Sequence, residues 1–157
     1  DDEDEDVLAA YRKKRMAEMK AAAAAARFGK VVHIREDEYR VEVSDEAAAD
    51  RETWVVVHLF RETMTACVII NRALDDLARR FPATKFVKIF ATDANKDYPD
   101  DRLPTLLVYH KGEIATQMVG LHEFGGPKVS TPFVEWRLAQ CGAIEGSEIV
   151  ENPFAGQ

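Results

Sequence analysis

Thiols and imidazoles are the groups in this sequence best suited to chemistry, and there are few of them. Two cysteines occur, Cys67 and Cys141, far apart and in no metal-ligand spacing. Cys67 lies near the start of a predicted helix, where the helix dipole can lower a thiol pKa and make it nucleophilic. Three readings of it stay open: a small buried apolar residue, a reactive or glutathionylated single thiol, or a partner for Cys141. The histidines His33, His58, His110 and His122 show no ligand pattern, so no metal is expected. His58 sits in a strongly apolar run and reads as a hydrogen-bonded core histidine. His33, His110 and His122 read as strand-end or loop residues. No Walker loop, GxGxxG or GxSxG occurs, so neither a nucleotide cofactor nor a hydrolase site is expected.

Composition narrows the classes further. The chain of 157 residues carries 21 Lys and Arg against 28 Asp and Glu. Six of those acids form residues 1–6, which leaves the rest nearly neutral. Without a basic excess, a dedicated nucleic-acid binder is not expected, because displacing counterions from phosphates takes clustered cations. No apolar run is long enough to span a bilayer, and no basic-then-apolar signal peptide pattern opens the chain. The expectation is one soluble, cytoplasmic, monomeric mixed domain.

The elements that must position these groups follow from pattern. Residues 1–6 read as an acidic disordered lead, and residues 7–28 as a long helix rich in Ala, Lys, Arg, Glu and Met. Its apolar face is thin, so it projects, lies against a partner, or docks lightly on its own domain. Gly29 ends it. A strand is predicted at Val31–Ile34, a short helix at Glu36–Val43 and a central strand at Trp54–Phe60. Apolar residues at three- and four-residue steps predict a helix over Met64–Phe81, closed by Pro82. A strand at Lys85–Phe90 and a polar loop at 92–102 come next. Thr105–His110 and Glu113–Val119 form a hairpin about Lys111-Gly112. Thr131, as N-cap before Pro132, opens a last helix through Cys141.

This order resembles the thioredoxin-like fold, an α/β class with a mixed central sheet flanked by helices. The segment Leu103-Pro104-Thr105 to Gly112, running on to Val119-Gly120, is similar to the thioredoxin cis-proline and hairpin. That resemblance implies a cis bond at Pro104. It also places Met64 at the nucleophilic cysteine, Cys67 at the resolving cysteine and His58 at the buried carboxylate. A thioether has no proton to lose and cannot attack a disulfide, so dithiol activity is not expected.

More specific blocks point to one family. They include Tyr11-Arg12-Lys13-Lys14-Arg15-Met16-Ala17-Glu18-Met19-Lys20, Arg27-Phe28-Gly29, Trp54-Val-Val-Val-His-Leu and Cys67-Val-Ile-Ile-Asn71. Lys85-Phe-Val-Lys88, Asn95-Lys-Asp-Tyr98-Pro99-Asp100, Leu103-Pro104-Thr105, Phe124-Gly125-Gly126, Glu135-Trp136-Arg137-Leu138, Gly142-Ala143-Ile144 and Glu151-Asn152-Pro153 complete the set. On these the chain resembles the phosducin-like proteins, in the branch related to phosducin-like proteins 2 and 3 that lacks high-affinity G-protein βγ binding. The resemblance implies residues 29–145 as a thioredoxin-like phosducin domain and 146–157 as a C-terminal tail. It also implies a non-enzymatic co-chaperone of the cytosolic chaperonin CCT (TRiC) acting on clients such as actin and tubulin. Tyr11, Arg12, Lys13, Lys14, Arg15, Met16 and Met19 are then the partner-binding candidates. A redox protein using Cys67 and a G-protein βγ regulator are the competing readings.

Overall fold

The computed structural model describes residues 1–154. A 24-residue helix, α1 (Asp2–Ala25), leads into an α/β body. Here one expectation is corrected: the acidic run is helical. The Asp1 side chain caps the first turn by accepting from the Glu3 N–H at 2.8 Å. Asp2, Glu3, Asp4 and Glu5 then sit at the positive end of the helix dipole, which outweighs their mutual repulsion. The helix also stops at Ala25, short of Phe28. The Phe28 N–H donates instead to the Pro82 carbonyl at 2.9 Å, tying the chain to the body.

Five strands form one mixed sheet: β1 (Val31–His33), β2 (Val55–Phe60), β3 (Lys85–Phe90), β4 (Thr105–His110) and β5 (Glu113–Val119). Their spatial order is β1-β3-β2-β4-β5. β3 runs parallel to both β1 and β2, whereas β4 is antiparallel to β2 and to β5. β2 is buried at every residue, as its unbroken apolar run predicts for a central strand. The turn between β4 and β5 has positive φ at both Lys111 and Gly112, the twist-matched form for a two-residue hairpin.

The two sheet faces are covered differently. On one lie α2 (Thr65–Arg80) and α4 (Thr131–Gln140), over a core that includes Ile70, Leu74, Leu77, Phe86, Leu106 and Leu138. The other is covered by irregular chain. Glu36–Glu38 is a 3-10 turn and Arg40–Asp45 a π turn, where a regular short helix is predicted. The segment after β3 holds a single turn, α3 (Ala91–Ala94), and a 3-10 turn at Asp100–Arg102, where the sequence predicts only loop. α4 is also capped one residue early, since Ser130 is extended and Thr131 is already helical.

The tail beyond the body folds back over α4. Ser147 Oγ donates to Glu135 Oε2 at 2.6 Å, and the Phe154 ring stacks on Phe133 at 5.0 Å. Gly125 has φ +89°, a conformation that favours glycine, and a Cβ there would also press on the Phe154 ring and push it aside. Residues 155–157 of the predicted tail lie outside the described residues.

Candidate functional site

Two places collect the residues singled out from sequence: the junction of β2 with α2, and the surface of α1. At the junction, β2 ends at Phe60 and the exposed turn Arg61-Glu62-Thr63 leads to Met64, which caps α2 in an extended conformation. Cys67 lies in the first turn of α2 on its inward side, wholly buried in the cluster that holds Phe60 and Leu103. Its Sγ points at Met64 Sδ, 3.7 Å away. Burial pushes its thiol pKa up, against a smaller lowering by a backbone hydrogen bond from Arg61. The helix N-terminus therefore does not produce a reactive thiolate here, because desolvation of the charged form prevails.

Leu103 and Pro104 are both buried, and the bond between them is cis. Arg61 and Asp100 join the β2–α2 turn to the segment before Pro104 through an ion pair of 2.6 Å. Tyr98 and Thr105 share a hydroxyl hydrogen bond of 2.7 Å, and the Thr105 hydroxyl lies 2.6 Å from the Arg102 carbonyl oxygen. These ties are not legible in the sequence, since each joins residues that no periodicity links. Cys141 is a free thiol at the end of α4, and Cys67 is free too, so no disulfide joins them.

His58 lies in the middle of β2, fully buried, with Nδ1 2.8 Å from Asn71 Oδ1. Its Nε2 has no hydrogen-bond partner among the described residues. Burial pulls the imidazole pKa down to about 4, the Asn71 hydrogen bond opposes this, and the Lys88 charge adds to it. A neutral, half-satisfied imidazole is a core residue and not a proton shuttle at neutral pH. Of the other histidines, His33 packs edge-on to Phe60 and Phe90, His110 stacks on Trp54, and His122 is exposed. Among the described residues no group of three His, Cys, Asp or Glu side chains could hold a metal ion. No helix among them is long and apolar enough to cross a membrane.

α1 behaves otherwise. Every described side chain along it is exposed, including Tyr11 at 63%, Met16 at 66% and Met19 at 61%. Helical geometry brings Leu8, Tyr11, Arg12, Arg15 and Met19 onto one face through steps of three and four residues. Met16 flanks that face, whereas Lys13 and Lys14 lie away from it. Two guanidinium side chains thus interrupt the apolar residues of a single stripe. Arg15 also approaches Glu18 at 3.8 Å, a contact too exposed to fix its position.

Comparison with solved structures agrees with the fold. The long form of thioredoxin f from spinach chloroplast is similar at TM-score 0.50 and 19% identity, over 61% of this chain and 79% of that one. The short form gives TM-score 0.50 and 19% identity, over 60% and 84%. Among curated relatives, phosducin-like protein 3 of Mus musculus is 39% identical over 97% of this chain and 62% of its own length. Phosducin-like protein 2 of Drosophila melanogaster is 40% identical over 98% and 62%. That of Dictyostelium discoideum is 43% identical over 94% and 59%. The chain therefore spans about three-fifths of the length of these relatives. The family model described as Phosducin matches residues 1–150. With a thioredoxin-like body, a long leading helix and these relatives, the chain belongs to the phosducin family, beside phosducin-like proteins 2 and 3.

Proposed function

We propose that this protein is a non-enzymatic, cytoplasmic co-chaperone that binds the chaperonin CCT and modulates folding of clients such as actin and tubulin. The observation that supports it most is α1, a long helix that presents Tyr11, Met16 and Met19 to solvent beside Arg12 and Arg15. Exposed aromatic and methionine side chains on one helix are the anchors of helix-in-groove recognition. Neighbouring guanidinium groups add charge complementarity toward an acidic surface, which mainly sets encounter rate and register. Met64 at the helix entrance and the buried thiol of Cys67 argue against redox chemistry by the body. The body then serves as a rigid docking unit. Binding to G-protein βγ is expected to be weak or absent.

The test is co-migration of the full chain with purified CCT on a sizing column, with and without nucleotide. A Tyr11→Ala/Met16→Ala/Met19→Ala variant is run beside it. Stoichiometric binding by the parent, lost in the triple variant with an unchanged unfolding midpoint, is the expected result. Absence of binding by the parent overturns the proposal. Binding that the triple variant retains in full moves the contact from α1 to the body.

A further inference from the structure

The irregular covering of one sheet face leaves a pocket of about 230 Å³ at the carboxyl ends of β2 and β3. Its floor is apolar: Leu59 and Ile89 from the penultimate positions of those strands, with Leu107 from β4 beside them. Tyr39 and Tyr98 contribute aromatic rings to the lining. Both tyrosine hydroxyls are engaged elsewhere, Tyr39 with Tyr109 at 2.6 Å and Tyr98 with Thr105 at 2.7 Å. The rings therefore offer carbon surface and π-density more than hydrogen bonds. The rim carries two exposed carboxylates, Glu36 and Asp93, which form no ion pair or hydrogen bond among the described residues. No Lys, Arg or His lines the pocket. Nearby Arg35 is engaged by Asp37 at 3.2 Å and Glu38 at 3.7 Å, and Lys96 is not part of the lining.

An apolar slot with aromatic walls and an anionic mouth is complementary to one kind of side chain. The occupant needs a methylene stem to cover Leu59, Ile89 and Leu107, and a cation at its end to meet Glu36 and Asp93. We propose that this pocket is a second docking site, which takes an arginine or lysine side chain from an extended segment of a partner protein. Arginine fits better than lysine, because its weakly hydrated planar head can lie on a tyrosine ring while donating to a carboxylate. The position agrees with the general tendency of open α/β sheets to bind ligands beyond the carboxyl ends of parallel strands. The proposal does not depend on chaperonin binding by α1, which uses a different surface.

The probe is a capped pentapeptide, acetyl-Gly-Leu-Arg-Leu-Gly-amide, titrated into the full 15N-labelled chain at millimolar concentration. The matched peptide has citrulline, a neutral isostere, in place of arginine. The expected result is amide shifts confined to residues about Glu36–Tyr39 and Asp93–Tyr98, with arginine preferred. Two partly exposed ion pairs give a preference of about tenfold at low salt, and added salt reduces it. A Glu36→Gln/Asp93→Asn variant, altered only at exposed side chains, should lose that preference, whereas Asp97→Asn outside the pocket should keep it. Equal binding of the two peptides, shifts confined to another surface, or no shift at all overturns the proposal. Concentration-dependent self-association that shifts the same amides would make the occupant a second copy of this chain, and would overturn it too.

Discussion

α1 and α2 are both long, well-formed helices, and they show two opposite uses of the same secondary structure. α2 places Cys67, Ile70, Ala73, Leu74, Leu77 and Ala78 on its buried side. On its outer side Asp76 pairs with both Arg79 and Arg80, the latter at 2.7 Å. α1 has no such division, since arginines interrupt its apolar stripe and alanines fill its last turns. Each large apolar side chain that α2 buries supplies about 1.5–3 kcal/mol, whereas α1 relies on local propensity and its N-terminal cap. A helix held only by local terms keeps its whole surface free for something else to cover.

The sharpest way to break this contrast is to shorten one apolar side chain in each helix. Leu74→Ala in α2 should cost about 2–5 kcal/mol of stability in urea unfolding, because the surrounding core cannot close over the cavity. Met16→Ala in α1 should change the same measurement by less than about 0.5 kcal/mol. A comparable loss at Met16 would mean that α1 packs on the body in solution.

A second expectation concerns acid and belongs to the body alone. His58 stays neutral in the folded chain down to about pH 4, while in the unfolded chain it protonates near its ordinary value of 6.5. Between those limits the unfolded state binds the extra proton, so stability falls as pH falls through this window and levels off below it. The full effect is about 3 kcal/mol, at 1.36 kcal/mol for each pKa unit. A His58→Leu variant should lack that part of the pH dependence. An unchanged slope from pH 6.5 to pH 4 would assign it to other groups.

A purely local effect sharpens the comparison from the α1 side. Ala22→Gly should weaken α1 by about 1 kcal/mol, through the backbone freedom that glycine gives up in a helix. Hydrogen exchange should speed up within α1, with the unfolding midpoint of the body unchanged. A shifted midpoint would show that α1 and the body unfold together.

The sheet and the helices packed on it were legible because each carries its own periodicity. The unbroken apolar run of β2, the three- and four-residue steps of α2 and the Lys111-Gly112 turn each specify one local conformation. The covering of the second face was not legible. Residues 36–45 and 91–102 mix acids, tyrosines and small residues without a period, so their short turns are decided by what they pack against. The acidic lead was misread for a related reason. Repulsion between neighbouring acids is evident in composition, whereas their stabilisation by the helix dipole exists only once the helix has formed.

By itself, the sequence determined that Met64 cannot supply a thiolate to attack a disulfide, since a thioether has no proton to lose. It also determined that α1 lacks a continuous apolar face, because helical spacing follows directly from residue order. Only the tertiary structure decided that Cys67 is closed to solvent with a raised pKa, and that His58 is buried with one nitrogen unpaired. It alone also placed Glu36 and Asp93, 57 positions apart in the chain, on the rim of one apolar pocket. Burial and long-range proximity arise from how elements pack, and neighbouring residues in a sequence carry no record of the distant side chains they meet.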